Sequence, residues 1–169
     1  MSFIGEVKKG TTYTPGWFLA HNDETCTRET KEIAQSGAVE TASGKYVPMG
    51  TAYPSNDGNA IGIVYEDVDV TTGNMPGSVV TKGEVYEDRL AITGVSYSAV
   101  TPVGTENPSE EGWYEKDGDV YTLTTDTTVD SEKTYYEQVT VRLASAAKTA
   151  LQAHGFKFIA TAPAVTRPY

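Results

Sequence analysis

The sequence predicts a β-rich α+β chain: short strands, one short C-terminal helix, an extended N-terminal arm and an inserted three-stranded β module. Three observations predict it. Short apolar runs over residues 37–99 are punctuated by Ser43-Gly44, Asn56-Asp57-Gly58-Asn59 and Thr72-Gly73-Asn74, which is turn chemistry between strands. Leu143, Ala146, Ala147, Ala150, Leu151 and His154 recur at the spacing of one helix face. Finally, most of the net charge of -10 sits in one segment: residues 101–138 hold ten acids and two bases, a net -8. Such a shift marks a separate unit.

Taken in order, residues 1–36 lack clean periodicity and read as the arm. Gly10, Pro15, Gly16 and the polar run His21–Lys31 favour extended chain, with one or two helical turns expected over Thr27–Ala34. Trp17, Phe18 and Leu19 form an apolar knot that must pack on the body or on a partner, because exposed it would be a liability. The body, 37–99 plus 139–169, begins with a strand at Lys45–Met49. Ala60–Tyr65 is a nearly continuous apolar run, expected to be buried on both faces. Glu66–Val70 alternates acid with valine, an outward-inward strand. Thr72-Gly73-Asn74 turns the chain and Pro76-Gly77 closes that loop. Val79-Val80 and Glu84–Tyr86 flank Lys82-Gly83, read as a tight turn or bulge, and Leu90–Val95 is another short apolar segment.

The inserted unit, 100–138, opens on a linker, Thr101–Pro108. Trp113–Lys116 and Val120–Thr124 flank Asp117-Gly118, a hairpin signal, and Lys133–Gln138 supplies a third strand. Without this unit, Tyr97-Ser98-Ala99 runs directly into Val139–Arg142, so the body reads as continuous across it. The helix follows, with Ser145 as candidate N-cap and Gly155 as the residue after its end. Phe156–Ala160 is the last strand.

With 169 residues the chain can bury a core. No apolar run approaches the roughly 20 residues of a membrane span, so no membrane partner is expected. The N-terminus lacks the apolar region of a signal peptide, which points to synthesis and use in the cytoplasm unless the chain leaves in a larger assembly. The acidity argues against nucleic acid as a direct partner. Cys26 is the only cysteine, so no internal disulfide forms and stability rests on packing or oligomerisation.

Candidate chemistry is sparse. Glu66, Asp67 and Asp69 stop short of a calcium loop, which needs further oxygen ligands and a closing bidentate carboxylate. Gly94-Val95-Ser96-Tyr97-Ser98 ends in serine where a nucleophile elbow needs glycine. His154 reads as a core or helix-end residue. No catalytic residue, metal site or cofactor site is expected. Trp113, Tyr114 and Tyr135 are candidate glycan contacts, since flat aromatic faces suit sugar rings, but the small core of a three-stranded sheet is the better reading of them.

Four segments carry a likeness: GKYVPMGT at Gly44–Thr51, DGNAIGIV at Asp57–Val64, GEVYEDRL at Gly83–Leu90, and the helix–Gly–strand of Ala144–Ile159. In this order they resemble the bacteriophage head-decoration family typified by the phage lambda decoration protein. The likeness spans 37–99 and 139–162. It does not include the 100–138 unit, whose GWYEKDGDVYTLTTDTTVDSEKTYYE text resembles a small module of phage structural proteins from Gram-positive hosts. The resemblance implies a compact, β-tulip-like decoration body and a non-enzymatic cement protein. Such a protein binds the major capsid protein on the outer surface of the mature virion, as a homotrimer at three-fold positions. It stabilises the head against DNA pressure after assembly in the host bacterial cytoplasm. On that reading Trp17, Phe18 and Leu19 are the candidate capsid contacts. The competing readings are an adhesin-like module binding host glycan through Trp113, Tyr114 and Tyr135, and a hydrolase with a carboxylate site.

Overall fold

The computed structural model describes residues 14–20 and 26–164 and is β-rich with one short helix. The strands before the acidic segment are β1 (Thr27–Ile33), β2 (Val39–Thr41), β3 (Gly44–Val47), β4 (Ala52–Tyr53), β5 (Gly62–Val64), β6 (Val68–Asp69), β7 (Met75–Lys82) and β8 (Glu84–Tyr86). There follow β9 (Gly94–Ala99), β10 (Tyr114–Asp117), β11 (Val120–Leu123) and β12 (Tyr135–Val141). The helix α1 (Ser145–Ala153) and β13 (Lys157–Ile159) close the described chain. Two compact units result: Thr93–Val141, and the body formed by the chain up to Ile92 and from Arg142 onward.

The body is organised by one four-stranded sheet, ordered β1-β7-β5-β4. Adjacent residues of a strand point to opposite faces, so the pairs Ile63↔Val80 and Val64↔Val79 feed different cores. Ile63 and Val80 pack with Phe18, Leu19, Val85, Leu90, Leu151 and Phe156. Val64 and Val79 pack with Ile33, Val47, Val68 and Val70. This explains the unbroken apolar run of β5, whose three residues are all buried. The alternation expected over Glu66–Val70 is present, with Val68 and Val70 buried and Glu66, Asp67 and Asp69 exposed, although only Val68–Asp69 pairs as a strand. A three-stranded sheet, β2-β3-β6, and the parallel pair β13-β8 complete the body.

Three sequence expectations give way here. Thr27–Ala34 is not helical: Thr27–Ile33 is β1, paired along its length with β7. Its β-branched Thr27, Thr30 and Ile33 suit a strand, and tertiary pairing overrides the helical tendency of Glu and Lys. These residues belong to the body sheet rather than to an arm. Pro76-Gly77 does not close a loop but lies within β7, opposite Glu32 and Lys31. Of the two readings of Lys82-Gly83 the tight turn gives way: β7 pairs with β1 and β5, β8 pairs with β13, and the chain changes sheets at Gly83, while the register of β7 against β1 shifts beside it, between the pairs Arg28↔Val80 and Thr27↔Lys82.

The helix buries Ala147 and Leu151. Its N-terminus is not capped by Ser145. The cap residue is Ala144, which has no capping side chain. Instead its backbone N–H donates to Asn56 Oδ1 at 2.9 Å, while Asn56 Nδ2 reaches the Arg142 carbonyl. Asn56 is thus an N-cap supplied from a distant turn. Gly155 adopts φ +95° as the residue after the helix, and the Phe156 N–H then returns to the Leu151 carbonyl. His154 is the exposed C-cap of α1, so of its two readings the helix-end position holds and the core position does not.

The acidic unit contains one strand more than expected. Its sheet is ordered β11-β10-β12-β9, all antiparallel, and β9 and the last residues of β12 extend it beyond 100–138 to Thr93–Val141. Uncharged Gly94–Ala99 reads in sequence as continuation of the body. Its partner, Val139–Val141, was likewise indistinguishable from a body strand.

Candidate functional site

Two surfaces hold the residues singled out by sequence. The first is the segment Thr14–Ala20 on the body. Leu19 bridges Val85, the Tyr86 N–H donates to the Phe18 carbonyl at 2.8 Å, and the Ala20 N–H donates to the Glu84 carbonyl at 2.9 Å. The segment therefore adds to the edge of β8 that β13 leaves open. Phe18 and Leu19 enter the first core and are buried. As capsid contacts they are corrected: a side chain already packed against Val85 and Leu151 cannot also seat on another protein. Trp17 alone of the three is half-exposed. The Arg89 guanidinium stacks 4.0 Å from its ring centroid and 4.9 Å from that of Tyr86, and donates to the Trp17 carbonyl at 3.0 Å. Arg89 and Tyr86 were missed in sequence. The first 13 residues of the arm and His21 lie outside the described residues.

The second surface is the acidic unit, whose sheet has two different faces. On one, Tyr135 is fully buried and Trp113 is 7% exposed, their rings 5.7 Å apart; the Trp113 N–H donates to the carbonyl of buried Pro108, and the N–H of buried Thr124 donates to the Trp113 carbonyl. The core reading of these aromatics holds, and as glycan contacts Trp113 and Tyr135 are corrected, because neither offers a face to a sugar. A polar network borders them. The Tyr135 hydroxyl donates to Asp126 Oδ2 at 2.7 Å and accepts from the Asp130 N–H. Lys133 Nζ contacts Asp126 at 2.8 Å and Glu115 at 3.3 Å, and the Thr124 hydroxyl donates to Glu115. The hydrogen bonds from Lys133 and Tyr135 hold the Asp126 carboxyl below its ordinary range. Asp126 and Glu115 hold the Lys133 ammonium above its own. Burial, then the Asp126 hydrogen bond, pushes the Tyr135 phenol up. These shifts favour a fixed ion pair over a group poised for proton transfer.

On the other face lies a tyrosine tetrad. The Tyr97 and Tyr121 rings stack at 3.9 Å and 4°, Tyr114 meets Tyr97 edge-on at 5.0 Å, and Tyr136 meets Tyr121 edge-on at 5.2 Å. Tyr114, the remaining candidate glycan contact, is thus engaged with Tyr97. The tetrad was detectable only in part, since Tyr97 lies before the expected insertion and joins the others only through the β9–β12 pairing.

Two acids of the Glu66–Asp69 group serve the backbone. Asp67 accepts the Met49 N–H at 2.7 Å, and Asp69 accepts the Thr71 N–H at 2.9 Å. A hollow of about 510 Å³ beside Gln35 is lined by Glu40, Lys45 and Asn74. Gln35 there already donates to the Val70 and Thr71 carbonyls. Among the described residues no group of three or more His, Cys, Asp or Glu side chains is placed to hold a metal ion. Among them, too, no helix is long and apolar enough to cross a membrane. No family model, curated protein or solved structure matches this chain.

Proposed function

We propose that this chain is a bacteriophage capsid-decoration protein, binding the outer surface of the mature head as a trimer at three-fold positions. One observation carries the reading. The four segments that resemble decoration proteins, spread from residue 44 to residue 159, meet in a single body. The Gly50 N–H donates to the Val64 carbonyl and the Val64 N–H to the Thr51 carbonyl, joining the first two. The Ala91 N–H donates to the Gly50 carbonyl directly after the third. The Asn56 side chain holds Ala144, and Phe158 pairs in parallel with Val85, joining the fourth. A set of segments that closes on itself in this way behaves as one structural module, with the acidic unit inserted in its chain.

Trimer formation multiplies weak contacts to a repeating lattice through avidity, and the major capsid protein is the partner. The acidic unit supplies charge that favours solubility of a densely coated particle. Co-sedimentation with heads of the encoding phage tests the proposal. Saturable binding to expanded heads and little binding to unexpanded procapsids is expected. Equal binding to both, or to neither, overturns it.

A further inference from the structure

Residues Leu90–Thr105 contain no charged residue, in a chain in which 21% of residues are charged. This run contains β9, and β9 is not buried: five of its six residues are exposed, Val95 by 51%. Among the described residues it pairs only with β12, and they leave its other edge open. The Val100 N–H donates to the Tyr135 carbonyl. By antiparallel alternation Ser96 and Ser98 also bond towards β12, leaving Val95, Tyr97 and Ala99 with backbone groups facing outward. Sheet edges are commonly guarded by charge. The edge strand β1 of the body follows that rule with Arg28, Glu29, Lys31 and Glu32, and β9 does not.

We propose that the β9 edge docks an extended segment of a partner protein whose side chains alternate apolar and basic. Strand addition of this kind takes affinity from main-chain hydrogen bonds and specificity from alternate side chains. The two faces of the sheet set the pattern. Towards the tyrosine tetrad the new strand meets Val95, Tyr97 and Ala99, a face that carries no acid among its strand residues. Towards the other it meets Ser96 and Ser98, with Glu137 one strand further in, opposite Ser98. Glu137 is exposed, and a lysine on the added strand extends towards it over Ser98, across two strand spacings of about 4.8 Å each. The net -8 of the unit favours a cationic occupant over a second copy of the same acidic sheet. The proposal does not rest on the capsid reading.

The test uses the full chain and the blocked peptide Thr-Lys-Val-Lys-Val-Lys-Thr, beside an isomer of equal charge in which the lysines are contiguous. Affinity is read by titration calorimetry and edge protection by amide exchange. The alternating peptide is expected to bind roughly tenfold tighter than its isomer and to protect the Val95, Tyr97 and Ala99 amides. Ala99→Pro removes an outward donor and no ladder bond, and Ser98→Lys guards the edge; each is expected to lower affinity roughly tenfold. Equal affinity for the two peptides, or unchanged binding in both variants, reduces the effect to diffuse attraction and overturns the proposal. Protection of the same amides without peptide, together with a doubled mass, assigns the edge to a second copy and overturns it equally.

Discussion

Phe18 shows how one residue changes the meaning of a segment. In sequence it belongs to an apolar knot in a polar arm. In the structure it is fully buried among Val85, Leu90 and Leu151. Phe18→Ala is therefore expected to destabilise the body by about 3–5 kcal/mol, the usual loss for a buried phenylalanine. Denaturant unfolding of the two proteins checks this, and a loss below about 1 kcal/mol contradicts the packing. Asp126 makes a prediction about pH. Its folded pKa lies below the ordinary 3.8, so it contributes stability above that value and loses it as pH falls through the lowered one. The chain has two tryptophans, one in each unit. In a Trp17→Phe background, Trp113 fluorescence reports the acidic unit alone. Its unfolding midpoint in denaturant should fall from about pH 4 downward, and Asp126→Asn should flatten that acid limb. An acid limb unchanged by Asp126→Asn contradicts the ion-pair account.

At the scale of elements, close approach governs what each strand tolerates. A Cβ on Gly62 would stand 2.5 Å from Val79 Cγ1 and 2.6 Å from the Val80 carbonyl oxygen. Gly62→Ala must push β5 away from β7, and a loss of about 1–3 kcal/mol in thermal unfolding is expected. A neutral result would mean that the two strands are not held at this distance. Local pattern carried a large part of the fold: the alternation about Val68, the buried run of β5, the Asp117-Gly118 hairpin and the glycine that ends α1. What escaped the sequence was decided by partners far along the chain. The strand β1 is polar and takes its conformation from β7. Asn56 caps a helix whose first residue lies 89 positions later, which no local capping motif encodes. Within the site, Trp113 and Tyr135 were legible as a core because both fall on the short strands expected of one three-stranded unit. Tyr97 was not, because only the β9–β12 register brings it to Tyr121.

At the scale of the whole molecule, the structure moves the acidic unit's boundaries outward and shows how the body closes behind it. The Arg142 guanidinium donates to the Leu90 carbonyl, while the Thr93 N–H donates to the Val141 carbonyl at 2.8 Å. The exit and return of the chain are therefore adjacent on both sides of the boundary. Replacement of Thr93–Val141 by a short glycine linker is expected to leave a folded body with cooperative unfolding; an insoluble or non-cooperative product contradicts a separable unit. The same variant separates the two functional proposals, since one assigns capsid binding to the body and the other assigns peptide docking to the unit removed. The central claim, that the body is a capsid clamp, is tested most directly by a cryo-EM map of heads saturated with the full chain. The account predicts three-fold density that seats the body on the capsid surface and carries Thr93–Val141 away from it. Heads that remain bare, or density attached through Thr93–Val141 with the body free, would contradict it.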